Sequence, residues 1–125
     1  MKYLLDTHAI LWYAQGSAEL SLKAKNIMDS EECFYTMASF WEIVIKQKLD
    51  KIDKSVSIIE LEDLCKKAGF QLLPLNSTYL EKTKSLPFIH RDPFDRLLIA
   101  CAQSENWQII TRDSTIPQYD VRTIW

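Results

Sequence analysis

The stretch Lys2-Tyr3-Leu4-Leu5-Asp6 is a short apolar run stopped by a carboxylate, and the residues after it, Ala9 to Ala14, read as helical. The same order of signals returns late in the chain. Pro93 opens a helix that continues to about Asn106, and Gln108-Ile109-Ile110-Thr111 follows as a strand, with Asp113 just beyond it. Between these two anchors the alternation continues. Ser21 to Met28 carries apolar residues at 22, 24, 27 and 28, a helical face, and Cys33-Phe34-Tyr35-Thr36-Met37 reads as an aromatic-rich strand. Ser39 is placed to cap a helix from Phe40 to about Leu49, with Glu42 at the capping-box position. Ile58, Ile59, Leu61, Leu64 and Cys65 form another helical face, ended by Gly69 as its C′ residue. Phe70 to Pro74 is a third strand, Tyr79 to Leu86 a short helix closed by Pro87, and Val121 to Ile124 a fifth short strand. Short strands separated by helices imply right-handed βαβ units. The expectation is an α/β fold with a mostly parallel sheet and helices on both faces.

Length and composition agree with a single domain over residues 1–125. Apolar residues make up 47% of the chain and charged residues 26%, which excludes disordered, collagenous and coiled-coil classes. The longest apolar run, Leu97 to Ala102, is far shorter than the roughly 20 residues a membrane span needs. Asp6 interrupts the first apolar stretch too early for a signal peptide. Cys33, Cys65 and Cys101 are odd in number and lack C-x-x-C spacing, which points to buried thiols in a reducing, cytoplasmic setting. A net charge of −2 argues against a domain that binds nucleic acid by clamping phosphates, but not against an enzyme that cuts it. The lysine-rich segment from Lys46 to Lys54 reads as a solvated charged turn.

Parallel sheets bind ligands beyond the carboxyl ends of their strands. Asp6 and Asp113 lie at such ends, and Glu42 and Asp95 lie near helix starts. Four carboxylates in one cleft would repel one another unless a cation sat among them, and hard divalent ions take such oxygen ligands. In-line phosphoryl displacement is the chemistry that uses this arrangement. Each acid also has an ordinary explanation. Asp6 can cap the helix after it, Asp113 can begin a turn, and Asp95 sits at N3 behind an Asp92-Pro93 cap. Glu42 has Lys46 four residues on, although it is the lone charge in Phe40-Trp41-Glu42-Ile43-Val44-Ile45. His8 and His90 stand apart from each other and from any cysteine, which disfavours zinc, and a structural hydrogen bond is the simpler reading of His90. No acyl-transfer serine motif or glycine-rich phosphate loop can be written. Trp12, Trp41, Trp107 and Trp125 read as core or interface aromatics.

Four blocks in order carry a family resemblance: Leu4-Leu5-Asp6-Thr7-His8-Ala9; Ser39-Phe40-Trp41-Glu42-Ile43-Val44-Ile45-Lys46; His90-Arg91-Asp92-Pro93-Phe94-Asp95-Arg96-Leu97-Leu98-Ile99-Ala100; and Ile110-Thr111-Arg112-Asp113, with a Tyr119…Trp125 tail. Over nearly its whole length the chain resembles PIN-domain proteins, and within them the VapC-type toxins of bacterial toxin–antitoxin pairs. The resemblance implies a three-layer α/β/α sandwich and a Mg²⁺- or Mn²⁺-dependent endoribonuclease. It maps the family's acidic quartet onto Asp6, Glu42, Asp95 and Asp113, with Asp6 and Asp95 as principal metal ligands, Glu42 orienting a ligand or water, and Asp113 completing the site. Thr7 would support the site beside Asp6, and Asp92 would remain the helix cap. The implied partners are RNA, a cognate antitoxin whose tail fills the groove, and a second copy of the chain. At least one of Arg91, Arg96 and Arg112 is expected to contact substrate phosphate.

Two other classes compete. A non-catalytic RNA- or protein-binding module on the same fold would keep its function when Asp6 or Asp95 is neutralised. A metal-dependent phosphatase or receiver domain would need paired aspartates after the first strand, which are absent, and leaves Glu42 unexplained.

Overall fold

Alternate side chains along the first strand divide the interior in two. In the computed structural model, which describes residues 1–125, β1 (Lys2–Leu5) turns Tyr3 and Leu5 into one core and Leu4 into the other. Its neighbours β2 (Glu32–Tyr35) and β4 (Gln108–Ile110) follow the same period of two: Cys33, Tyr35 and Ile110 join Leu5, while Ile109 joins Leu4. With β3 (Gln71–Leu72) and β5 (Thr123–Ile124) they form one five-stranded, fully parallel sheet in the order β3-β2-β1-β4-β5. Leu4 stands opposite Phe34 on one side and Ile109 on the other.

The helices divide by face. The first core takes α1 (Thr7–Gln15), α2 (Leu22–Ser30), α3 (Met37–Lys48) and α4 (Ile58–Lys67), the connections that carry the chain from β1 to β3. The second core takes α5 (Ser77–Thr83) and α6 (Pro93–Glu105), which bring the chain back across β1 to β4. Crossovers of one hand must change face when the strand order reverses, so the sheet acquires helices on both sides. The reversal falls between β1 and β4, where the two loops after the strands separate and leave a cleft. The expected α/β/α sandwich is therefore present. No helix is long and apolar enough to cross a membrane. All three cysteines are buried free thiols, pushed up to about 12 by desolvation.

Local chemistry explains most boundaries. Asp92 caps α6 through its Oδ1, which accepts from the N–H groups of Phe94 (2.8 Å) and Asp95 (3.3 Å), with Pro93 in the first turn. Gly69, at φ +86°, closes α4 as its C′ residue. Other boundaries differ from expectation: α5 starts at Ser77 behind an Asn76 cap and ends at Thr83, short of Leu86, and β2 stops at Tyr35, short of Met37. α3 begins at Met37 behind Thr36, not at Phe40 behind Ser39, because β2 ends at Tyr35 and Thr36 is still extended. Ser39 is buried inside the first turn, and Glu42 lies well into the helix instead of at a capping-box position.

The irregular segment before α6 is held by two side chains. Arg96 Nη1 and Nη2 donate to the carbonyls of Thr83, Leu86, Pro87 and His90, and the guanidinium lies over Phe88 at 5.0 Å. The buried Tyr119 hydroxyl donates to Pro87 O (2.8 Å) and accepts from the N–H groups of Ile89 (3.1 Å) and His90 (2.6 Å). Arg96 is thus a clasp on this segment, and it does not line the cleft at the carboxylates. A lysine ammonium cannot span those four carbonyls. Arg96→Lys should lower unfolding stability by roughly 1–3 kcal/mol, read as a shift in denaturant midpoint at constant slope; an unchanged midpoint would refute the clasp.

Candidate metal centre

Asp6 follows β1 directly and starts α1, yet its side chain makes no capping bond to that helix. Instead, Asp6 Oδ2 accepts from Thr111 Oγ1 at 2.6 Å, reaching across to the end of β4. Thr111 Oγ1 in turn accepts from the Asp113 N–H at 3.0 Å, so one buried hydroxyl ties two of the four acids together. Glu42 is only 3% exposed. Its Oε1 accepts from Thr7 Oγ1 at 2.5 Å, and its Oε2 pairs with Lys46 Nζ at 2.6 Å. The helical i, i+4 pair anticipated from sequence is present, but its carboxylate is buried. Asp113 Oδ1 accepts from the N–H groups of Thr115 (2.6 Å) and Ile116 (3.1 Å), the turn-forming bonds its position suggests.

His90 joins this group: it makes the structural hydrogen bonds expected of it, and two of its partners are acids of the cleft. Its Nδ1 accepts from the Asp92 N–H at 3.2 Å, so the neutral ring carries its proton on Nε2. That nitrogen lies 2.9 Å from Asp95 Oδ2 and 3.2 Å from Asp113 Oδ2. One ligand atom from each of His90, Asp95 and Asp113 falls within 4.8 Å of the others. Thr111 was missed; its only signal was a hydroxyl at the end of an apolar strand, two residues before an acid.

Asp6, Glu42, Asp95 and Asp113 line a single cleft of about 300 Å³, with Lys46 and Arg112 among the other walls. Of the residues expected at substrate, Arg112 lines this cleft, Thr7 is buried behind it holding Glu42, and neither Arg91 nor Arg96 borders it. Crowding shows in the proton affinities. Burial, followed by the charges of Asp6, Asp92, Glu42 and Asp113, pushes the Asp95 carboxyl up to about 8. Burial also raises Asp6, against the hydrogen bond from Thr111. Asp113 goes the other way: desolvation is outweighed by the Thr115 and Ile116 N–H groups and by His90, and its pKa falls below the ordinary value. Burial would lower Lys46, but its bond to Glu42 and the charges of Asp92 and Asp95 hold it above its ordinary value. A site that keeps an aspartate protonated near neutrality lacks positive charge. Its donors are nearly all carboxylate oxygens, the set that suits a hard divalent cation.

The raised pKa of Asp95 has a measurable consequence. Asp95 binds its proton more tightly when folded, so through this group the metal-free protein loses stability as pH rises from about 4 to about 8. The effect amounts to a few kcal/mol at most, since each pKa unit is worth about 1.4 kcal/mol. In EDTA, Asp95→Asn should melt several degrees above the parent at pH 9 and level with it at pH 4. A difference independent of pH would contradict the assignment.

A family model for the PIN domain matches residues 3–122. Solved structures of similar fold include VapBC2 from Rickettsia felis bound to a promoter DNA fragment, with TM-score 0.73 and 11% identity over 99% of this chain and 98% of that one. They also include a toxin–antitoxin complex from Klebsiella pneumoniae, with TM-score 0.66 and 16% identity over 98% and 96%. DNA-bound VapBC from Salmonella typhimurium gives TM-score 0.67 and 14% identity over 99% and 97%. At such identities the likeness concerns the fold. No curated protein matches the chain. Because the family model runs from the central strand through β4 and takes in all four carboxylates of the cleft, the chain belongs to the PIN-domain family.

Proposed function

We propose that the protein is a divalent-metal-dependent endoribonuclease, the toxin of a toxin–antitoxin pair. The observation that carries this reading is the convergence of Asp6, Glu42, Asp95 and Asp113 on one cleft, where burial and then the neighbouring carboxylates push Asp95 up to about 8. Asp6 and Asp95 would be the principal ligands of Mg²⁺ or Mn²⁺, with Asp113 completing the set. Such an ion supplies Lewis-acid activation of water and stabilisation of the leaving oxygen. The protein's own contribution is orientation. Thr111 fixes the Asp6 carboxylate, Thr7 and Lys46 fix both oxygens of Glu42, and His90 holds Asp95 and Asp113 to a common direction. Glu42, buried and held at both ends, is suited to orient a water or a ligand without moving.

The partners follow from surface and family together. Several of the solved neighbours are toxin–antitoxin complexes. This chain exposes Met37, Trp41 and Leu80 around an apolar hollow of about 790 Å³ that Ile45, Phe94 and Leu97 deepen. Trp41 is 64% exposed. Apolar surface of that kind suits a protein partner, in this reading a small antitoxin encoded beside the chain, a second copy, or both. Co-expression with the neighbouring reading frame should yield a tight complex; no copurifying protein would count against the toxin assignment.

A non-catalytic binding module is the competing reading, and Lys46, which already pairs with Glu42 in the acidic cluster, favours it. Cleavage decides between them. Purified, partner-free protein should cut total RNA into discrete fragments with Mg²⁺ or Mn²⁺, and both EDTA and Asp6→Asn should abolish the fragments. Intact RNA from a folded protein that binds no metal would leave the binding module.

A further inference from the structure

Glu42 differs from the other acids of the cleft in having a permanent cation of its own. Lys46, one turn further along α3, places its Nζ 2.6 Å from Glu42 Oε2. The other Glu42 oxygen accepts from Thr7, so both ends of this buried carboxylate are engaged. Lys46 itself is half-buried and lines the cleft. Asp92 and Asp95 also lie near enough to act on its charge, so the ammonium stands among acids and not beside one alone. The remaining carboxylates are grouped differently. Asp95 and Asp113 converge with His90 to within 4.8 Å, and Asp6 is turned toward β4 by Thr111. The cleft is thus divided into a part that lacks a fixed counter-charge and a Glu42 end that already has one.

Two-ion phosphoryl-transfer sites hold their ions about 4 Å apart and use them to clamp the attacking and leaving oxygens. A second ion in this cleft would need the Glu42 carboxylate. A dication there would face the Lys46 ammonium across the same carboxylate, and like charges so placed in a partly desolvated site repel strongly. The ammonium also has the advantage of being tethered: at the i, i+4 spacing of one helix it is already beside Glu42, whatever the concentration of free metal. We propose that Lys46 stands in for a second metal ion, so that the centre takes a single divalent cation among Asp6, Asp95 and Asp113, with Glu42 outside its ligand set. The inference rests on the nuclease reading above and deepens it. One ion and one ammonium bring to a phosphodiester the two positive charges that a pair of ions would bring.

The test counts the Mn²⁺ bound by the whole chain, from the loss of the free-ion electron paramagnetic resonance signal. The bound spectrum is then inspected for the exchange coupling of two neighbouring ions, which separates a second ion in the cleft from one on the surface. The parent should bind one Mn²⁺ per chain, uncoupled. Lys46→Met and Lys46→Gln, which leave Glu42 without a counter-charge, should each bind two, with a coupled spectrum. Lys46→Arg should return the count to one. Glutamine retains a hydrogen-bond donor at this position, so the proposal stays testable if Lys46→Met does not fold. Two coupled ions in the parent, a single ion in the uncharged variants, or two coupled ions in Lys46→Arg would each overturn it. A parent that binds no Mn²⁺ removes the metal centre and this proposal with it. Otherwise the two readings fail separately. The expected counts without any cleavage of RNA remove the nuclease and leave the role of Lys46. Cleavage by the parent, with one ion in parent and uncharged variants alike, removes the role of Lys46 and leaves the nuclease.

Discussion

Repulsion among carboxylates is the constraint around which this molecule is arranged. Taking several negative charges out of water into a common cleft costs free energy that no packing in the vicinity offsets directly. The protein meets that cost with individual bonds: a hydroxyl for Asp6, a hydroxyl and an ammonium for Glu42, two backbone N–H groups for Asp113, and a single imidazole nitrogen shared between Asp95 and Asp113. Asp95 is left least compensated, and it is the acid whose proton affinity rises to about 8. Each supporting bond also fixes a direction. The same contacts that make the cluster tolerable without a cation therefore hold its oxygens ready for one.

The fold places this cluster where a parallel sheet has room for it. β1 sits in the middle with neighbours on both sides, and the chain leaves it toward one face and returns to β4 from the other. Asp6 and Thr111, at the ends of these adjacent strands, meet because the strands are in register, Leu5 opposite Ile110. α3 and α6 then add Glu42 and Asp95 from the two faces. Behind α6, the clasp of Arg96 and Tyr119 fixes the backbone of residues 83–90, and with it His90. A side chain remote from the cleft thus decides where an imidazole in the cluster stands.

Reading from sequence went furthest where the determining forces are local. Asp92-Pro93 at the start of α6 and Gly69 at the end of α4 are each set by residues within a turn of one another, and each was legible. The α3 boundary was not, because both Thr36 and Ser39 are good caps and only the length of β2 selects between them. Arg96 invited misreading by standing next to Asp95. Adjacent helical residues point about 100° apart, so an acid facing the cleft sends its neighbour elsewhere. That the acids converge rests on contacts between residues as far apart as 6 and 111, which no local pattern encodes. The family resemblance supplied that step, and although its blocks include Thr111 and His90 it gave neither a role in the site.

The hydrogen bond between Asp6 and Thr111 spans almost the entire chain, and this has a consequence for how the protein is made. β1 is synthesised long before β4 but is completed on one side only when β4 has been made. A nascent chain shorter than residue 108 carries Asp6, Glu42 and Asp95 without the strand and the carboxylate that complete the cleft. Contacts so distant in sequence also form late in folding. During translation, therefore, the cell holds a polypeptide whose acidic cleft is unfinished until residue 113 has been added. An inhibitory partner, if one is made alongside it, has that interval in which to accumulate.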